Sequence, residues 1–241
     1  MTPAEARKKI IFALDLDDPA AIEGWAAKLA SRVGMFKIGK QLFTSCGPDA
    51  VRTVRKHGGE VFLDLKYHDI PNTVAMATVA AARLGVKLVN LHALGGYEMM
   101  ATTMAALDKE CNGGERAKVL AVTILTSSTE ETLRGVGIDH SVPDMVVRLA
   151  KLAKSAGIDG VVASPQEVGL IRAACGPDFL IVTPGVRPLF AAADDQKRIM
   201  TPAEAVAQGA DYLVIGRPIS AASDPVKAAD MIIEEIVASG Y

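Results

Sequence analysis

In the stretch VFLDLKYHDIPNTV, residues 61–74, an apolar run acquires two acids and an amine within six positions: Asp64, Lys66 and Asp69. Opposite charges nearby favour the ionised form of a buried amine, whereas burial alone would push its proton off. An ammonium held in this way can stabilise negative charge and deliver a proton. Side chains alternate between the faces of a strand, so Asp64 and Lys66 share one face, roughly 6–7 Å apart along the chain. Leu63, Leu65 and Tyr67 take the other. Asp15 follows Ile11 and Ala13 on one face of IIFALDL, and Lys37 lies within MFKIGK. A structural ion-pair network would account equally well for an isolated Asp-x-Lys. Four or five charges converging from three strands favour a site, because desolvating that many ions is costly unless a ligand or a reaction uses them.

A second group lies late in the chain. TPGVRP (183–188) brings Arg187, DDQKR (194–198) brings Gln196, and IGRP (215–218) brings Gly216 and Arg217. Glycine lets a backbone approach an anion, and arginine can grip two phosphate oxygens. Thr126 and Ser127, in VTILTSS (122–128), offer hydroxyls and amides to a polar ring edge, although turn chemistry also uses these residues. Asn90 and His92 suit a satisfied core or supporting role. His68 has no second histidine or cysteine at ligand spacing, so no metal is proposed. Met99, Met100 and Met104 have the spacing of a helix face in a core.

The elements that must position these residues recur along the whole chain. Eight β-type runs appear: 10–16, 35–40, 61–67, 88–94, 119–125, 160–164, 179–185 and 212–218. Between them lie helical segments such as PAAIEGWAAKLASRV, TVAMATVAAARLG, PDMVVRLAKLAKSAG and TPAEAVAQGA. Strands alternating with helices pair in parallel, and eight units predict a (β/α)8 barrel forming one domain over 1–241. A doubly wound open sheet is the alternative. Against it, no GxGxxG opens a helix after the first strand, and the polar residues are spread over many strand ends. The barrel assigns the acids and lysines to its C-terminal mouth and the Arg187–Arg217 group to the loops after strands seven and eight, where this fold binds phosphate. The stretch 186–200 is long for such a loop and suits a lid.

Composition narrows the class. Half of the 241 residues are hydrophobic, enough for a large core. The apolar runs are too short to span a bilayer. A net charge of −2 with no Lys/Arg-rich block leaves no footprint for nucleic acid. The basic residues before 10–16 superficially imitate a secretory signal, but acids follow and no small-residue cleavage site does. Cys46, Cys111 and Cys175 are odd in number and widely spaced, which fits a reducing cytoplasm better than a disulfide framework.

Taken together, DLKYHDIPNTV, FALDLDD, FKIG, LTS, TPGVRP, DDQKR and VIGRPI resemble the bacterial type of the orotidine 5′-phosphate decarboxylase family, in the expected order and over nearly the whole chain. The D-x-K-x-x-D core alone is shared with relatives in the same superfamily. The resemblance implies cofactor-free conversion of orotidine 5′-phosphate to UMP and CO2. By it, Lys66 matches the proton donor, and Lys37, Asp64, Lys66 and Asp69 the charged network. Asp15 and Lys37 match contacts to the ribose hydroxyls. Thr126 and Ser127 match the pyrimidine-edge region, and Arg187, Gln196, Gly216 and Arg217 the phosphate grip. Asp69 and Thr73 match residues contributed across a dimer interface, which implies a homodimer with shared sites. Metal-dependent sugar-phosphate decarboxylases and aldolases of the superfamily are the nearest rivals; they place an acid on strand two, where this chain has Lys37. A silent nucleotide-phosphate binder would need the phosphate group but not the Asp–Lys–Asp network.

Overall fold

The computed structural model describes residues 1–16, 18–191 and 200–240. Eight strands, β1 (Ile10–Ala13), β2 (Met35–Gly39), β3 (Val61–Tyr67), β4 (Leu88–His92), β5 (Lys118–Val122), β6 (Gly160–Val162), β7 (Leu180–Pro184) and β8 (Tyr212–Ile215), pair in parallel in chain order. Closure comes from β1 against β8, with Ile11 opposite Val214 and Phe12 opposite Ile215. The expected (β/α)8 barrel is the observed fold.

Both faces of these strands are covered, which is why they read as nearly unbroken apolar runs. Ile11, Ala13, Met35, Phe62, Leu88, Leu120, Val182 and Val214 fill the barrel interior. The alternate residues, among them Phe12, Phe36, Leu63, Val89 and Ile181, pack outward against the helices in a second, larger core. Two positions further along three of the inward rows stand Lys37, Asp64 and Asn90. The apolar plug therefore ends in a polar layer at the C-terminal mouth.

The four named helical segments form where expected, and two of them start from side-chain caps. Val142–Ser155 begins at Ser141, whose hydroxyl accepts from the Asp144 N–H, and Pro202–Ala207 begins at a Thr201/Glu204 capping box. Pro71 occupies the first turn of Pro71–Arg83, where its missing N–H costs nothing. Met99, Met100 and Met104 are buried on Gly96–Cys111, as their spacing implied. An additional helix, Pro3–Lys9, precedes β1 and carries the basic residues that imitate a signal segment; a Thr2/Glu5 capping box starts it and Ala6 buries its inner face. No helix among the described residues is long and apolar enough to cross a membrane.

Seven of the eight strands stop short of the predicted C-terminal limit, by one to three residues. β1 ends at Ala13 instead of 16, β5 at Val122 instead of 125, and β8 at Ile215 instead of 218. Asp15, Thr126, Ser127, Arg187, Gly216 and Arg217 consequently lie just beyond their strands, not on their last residues. The physical reason is that a ladder needs both neighbours, and the residues past the last paired positions leave it to form the mouth.

Candidate active site

An alternating chain of charges crosses the mouth. Lys37 Nζ donates to Asp15 Oδ1 at 2.9 Å and lies 3.8 Å from Asp64 Oδ2. Lys66 Nζ donates to Asp64 Oδ1 at 2.5 Å. Asp15 is exposed, whereas Lys37 is only 9% accessible, so the lysine must be satisfied by these two acids. Burial alone would lift the Asp64 carboxyl; the ammoniums of Lys66 and Lys37 and hydrogen bonds from Lys66 and Asn90 outweigh it and hold the group below the usual carboxylate range.

Asp64 and Lys66 meet, but not through regular alternation. β3 pairs with β4 as Leu63↔Val89 and then as Tyr67↔Leu91, so residues 64–66 face the single residue Asn90. Lys66 takes φ 52°, the left-handed region that a side chain enters only at a cost. The bulge swings the ammonium back onto Asp64, closing a gap that an extended strand would leave open. Asn90 spans it: its Oδ1 accepts from the Lys66 N–H at 2.8 Å and its Nδ2 donates to Asp64 Oδ1 at 2.7 Å.

Gly39 stands opposite Asp64 in the β2–β3 register. A Cβ there would lie 3.1 Å from Lys37 Nζ and 3.6 Å from Asp15 Oδ1. Glycine thus leaves room for the Lys37–Asp15 pair. FKIG contains this residue, but only the tertiary approach shows what its missing side chain does.

A cavity of about 200 Å³ lies against the network, lined by Lys37, Phe62, Asp64, Lys66, Ile124, Thr126 and others. A wider cleft of about 1010 Å³ adjoins it through Ile124, Leu125, Thr126 and Pro184, and reaches Ser127, Gly185 and Arg187. Thr126 and Ser127 are exposed in the turn that Ser128 N–H closes on the Leu125 carbonyl. Arg187 is half-buried, and its N–H donates to the Met200 carbonyl. Arg217 opens the short helix Arg217–Ser220 and is exposed. A Cβ on Gly216 would lie 3.4 Å from Ala13 Cβ and 4.0 Å from Asp15 Oδ2, so the Gly216–Arg217 backbone sits beside the first strand's acid. Gln196, and residues 192–199 of the 186–200 stretch expected to form a lid, lie outside the described residues.

Asp69 and Thr73 are not brought to the network. Both are exposed, and among the described residues Asp69 forms no ion pair; its carboxylate accepts from the Ile70 N–H at 2.6 Å. His92, half-buried, has its ring 5.6 Å from that of His68. Burial first, then its charged and titratable neighbours, lower its pKa below the usual histidine value. Among the described residues, no cluster of three or more His, Cys, Asp or Glu is placed to hold a metal ion.

Comparison with known proteins extends over the same ground. Residues 8–232 match the model of the orotidine 5′-phosphate decarboxylase / HUMPS family. An orotidine 5′-phosphate decarboxylase of Geobacter metallireducens is 73% identical over 238 residues, covering 99% of this chain and all of the relative. That of Geotalea uraniireducens is 74% identical, covering 99% of both chains. The crystal structure of orotidine 5′-phosphate decarboxylase from Lactobacillus acidophilus superposes with a TM-score of 0.83 at 39% identity, over 94% of this chain and 98% of that one.

Proposed function

Because the chain belongs to the orotidine 5′-phosphate decarboxylase / HUMPS family and matches decarboxylases over essentially its full length, we infer that it is a carboxy-lyase converting orotidine 5′-phosphate to UMP and CO2 in pyrimidine biosynthesis. Residues 1–241 form one catalytic unit in this reading. The C6–carboxylate bond breaks, CO2 leaves, and the electron pair stays in the plane of the ring on C6. An oriented ammonium beside that carbon stabilises the charge, and then supplies the proton that replaces the carboxyl group. Lys66 is assigned that role. The observation that carries the assignment is its ammonium at 2.5 Å from Asp64, beside a cavity at the barrel mouth.

The remaining roles are those the family resemblance implies, and their positions at the barrel mouth support them. Asp15 and Lys37 meet the ribose hydroxyls, and Asp64 holds both lysines. Thr126 and Ser127 meet the polar edge of the base. Arg187, Gln196, Gly216 and Arg217 hold the phosphate, the place where this fold collects such groups. The energy of phosphate binding far from C6 is spent on organising the charges at the reacting carbon.

Asp69 and Thr73 act in the site of a second copy. Their exposure supports this, as do the exposed apolar residues around them: Ile70, Met76 and, on the neighbouring segments, Leu94 and Tyr97. Large exposed hydrophobics gathered at one face favour a protein partner. A homodimer with shared sites is therefore proposed. The three unpaired cysteines support a cytoplasmic protein.

The test is the fall in absorbance of orotidine 5′-phosphate with purified, EDTA-treated protein. Turnover that survives chelation and disappears in Lys66→Ala is expected. Turnover that requires an added divalent ion would favour the metal-dependent branch of the superfamily, and binding without turnover a silent receptor.

A further inference from the structure

We propose that Asn90 is a positioning residue for the decarboxylation: it holds the bulge of β3 and aims the Asp64 carboxylate at Lys66. The proposal rests on the reading of Lys66 as the proton donor.

Where three residues of β3 face one of β4, the main chain of β4 has too few carbonyls for the N–H groups opposite. The Asn90 side chain fills that gap by accepting from Lys66 N–H. Its other end donates to Asp64 Oδ1, the same oxygen that receives the Lys66 ammonium. Only one orientation of the amide satisfies both ends, since a carboxylate accepts and an N–H donates. Asn90 is 1% exposed, so water has no access to replace it. One side chain therefore fixes three things: the left-handed backbone of Lys66, the rotamer of Asp64, and the oxygen on which the ammonium rests. Leu, which has no donor or acceptor, would leave all three unsupported. The charged and titratable groups facing this point are Asp64 and Lys66 from β3, Lys37 from β2, Asp15 beyond β1, and His92 on β4 with His68 next to it.

Asn90→Asp and Asn90→Leu separate a positioning role from a merely structural one. In Asn90→Asp an oxygen remains for Lys66 N–H, and the protonated acid still donates to Asp64. Ionised, it sets a second anion against Asp64. Two close carboxylates share a proton up to a raised pH. The kcat of Asn90→Asp is therefore expected to recover in acid and to fall as pH rises, with a descending limb at lower pH than any in the wild type. Asn90→Leu is expected to lose about a hundredfold in kcat at every pH with KM within about twofold, as for a misplaced reacting group whose binding contacts are intact. Wild-type-like kcat in both variants, or a loss in Asn90→Asp that does not change with pH and only follows the melting temperature, overturns the proposal. If Asn90→Leu does not fold, the pH profile of Asn90→Asp decides alone. An inactive wild type would instead remove the decarboxylase reading beneath it.

Discussion

Asp64 lies between two lysines, and its protonation releases both. Burial would raise its pKa; Lys66, Lys37 and the hydrogen bonds to it lower the net value. A carboxyl with a depressed folded value contributes stability that is complete above its unfolded pKa, about 3.9, and is lost as pH falls through the folded value. Asp64→Asn removes the anion and leaves two buried or half-buried ammoniums facing each other. Urea melts at a series of pH values should show the variant less stable than wild type at neutral pH, with the gap closing below pH about 4. A gap that stays constant down to the acid limit would mean the ion pairs contribute nothing. The types of residue that do this chemistry were legible, because Asp, Lys and Lys stand out in apolar strands with a period of two. The role of Asn90 was only half legible. Its polarity inside LVNLH marked it as a supporting residue, but its two partners depend on a bulge that no alternation pattern announces.

Elements carry these side chains, and the mouth is formed where they end. β2 offers Lys37 and then withdraws its side chain at Gly39, two residues on, so that the amine can reach Asp15. Gly39→Ala should fold with an unchanged melting temperature, because the atom it crowds is the far end of a flexible side chain. It should nonetheless lower kcat about tenfold by displacing Lys37. Loss of stability comparable to a core substitution would show that Gly39 serves the backbone instead. At the other end of the substrate, Arg217→Ala should raise KM and also lower kcat, each by about tenfold or more, because phosphate binding energy is spent on organising the reacting groups. A rise in KM with kcat unchanged would mean that the phosphate contact serves binding alone. Helix and strand identities were readable from periodicity. Strand ends were read too far by one to three residues, since apolar character continues into the mouth after the ladder has stopped.

The whole molecule decides which residues belong to one site. Closing β1 onto β8 brings Gly216 beside Asp15, though they lie at opposite ends of the chain. The same closure leaves Asp69 and Thr73 exposed and away from the Lys66 they are proposed to complement in a second copy. Mixing inactive Lys66→Ala and Asp69→Ala proteins and letting subunits exchange should restore about a quarter of wild-type activity, since half the dimers become mixed and each has one intact site of two. No recovery after demonstrated exchange would place Asp69 in its own chain's site or in none. The sequence by itself determined the parallel barrel, the residue types of the two clusters and the rows on which most of them lie, because hydrophobic period and residue chemistry are local properties. Tertiary structure alone decided that Lys66 turns back onto Asp64, that Asn90 clamps both, that Gly39 gives Lys37 its room, and that Asp69 stays outside. Those outcomes depend on register and closure between distant segments, and contacts of that kind are settled by how whole strands fit together.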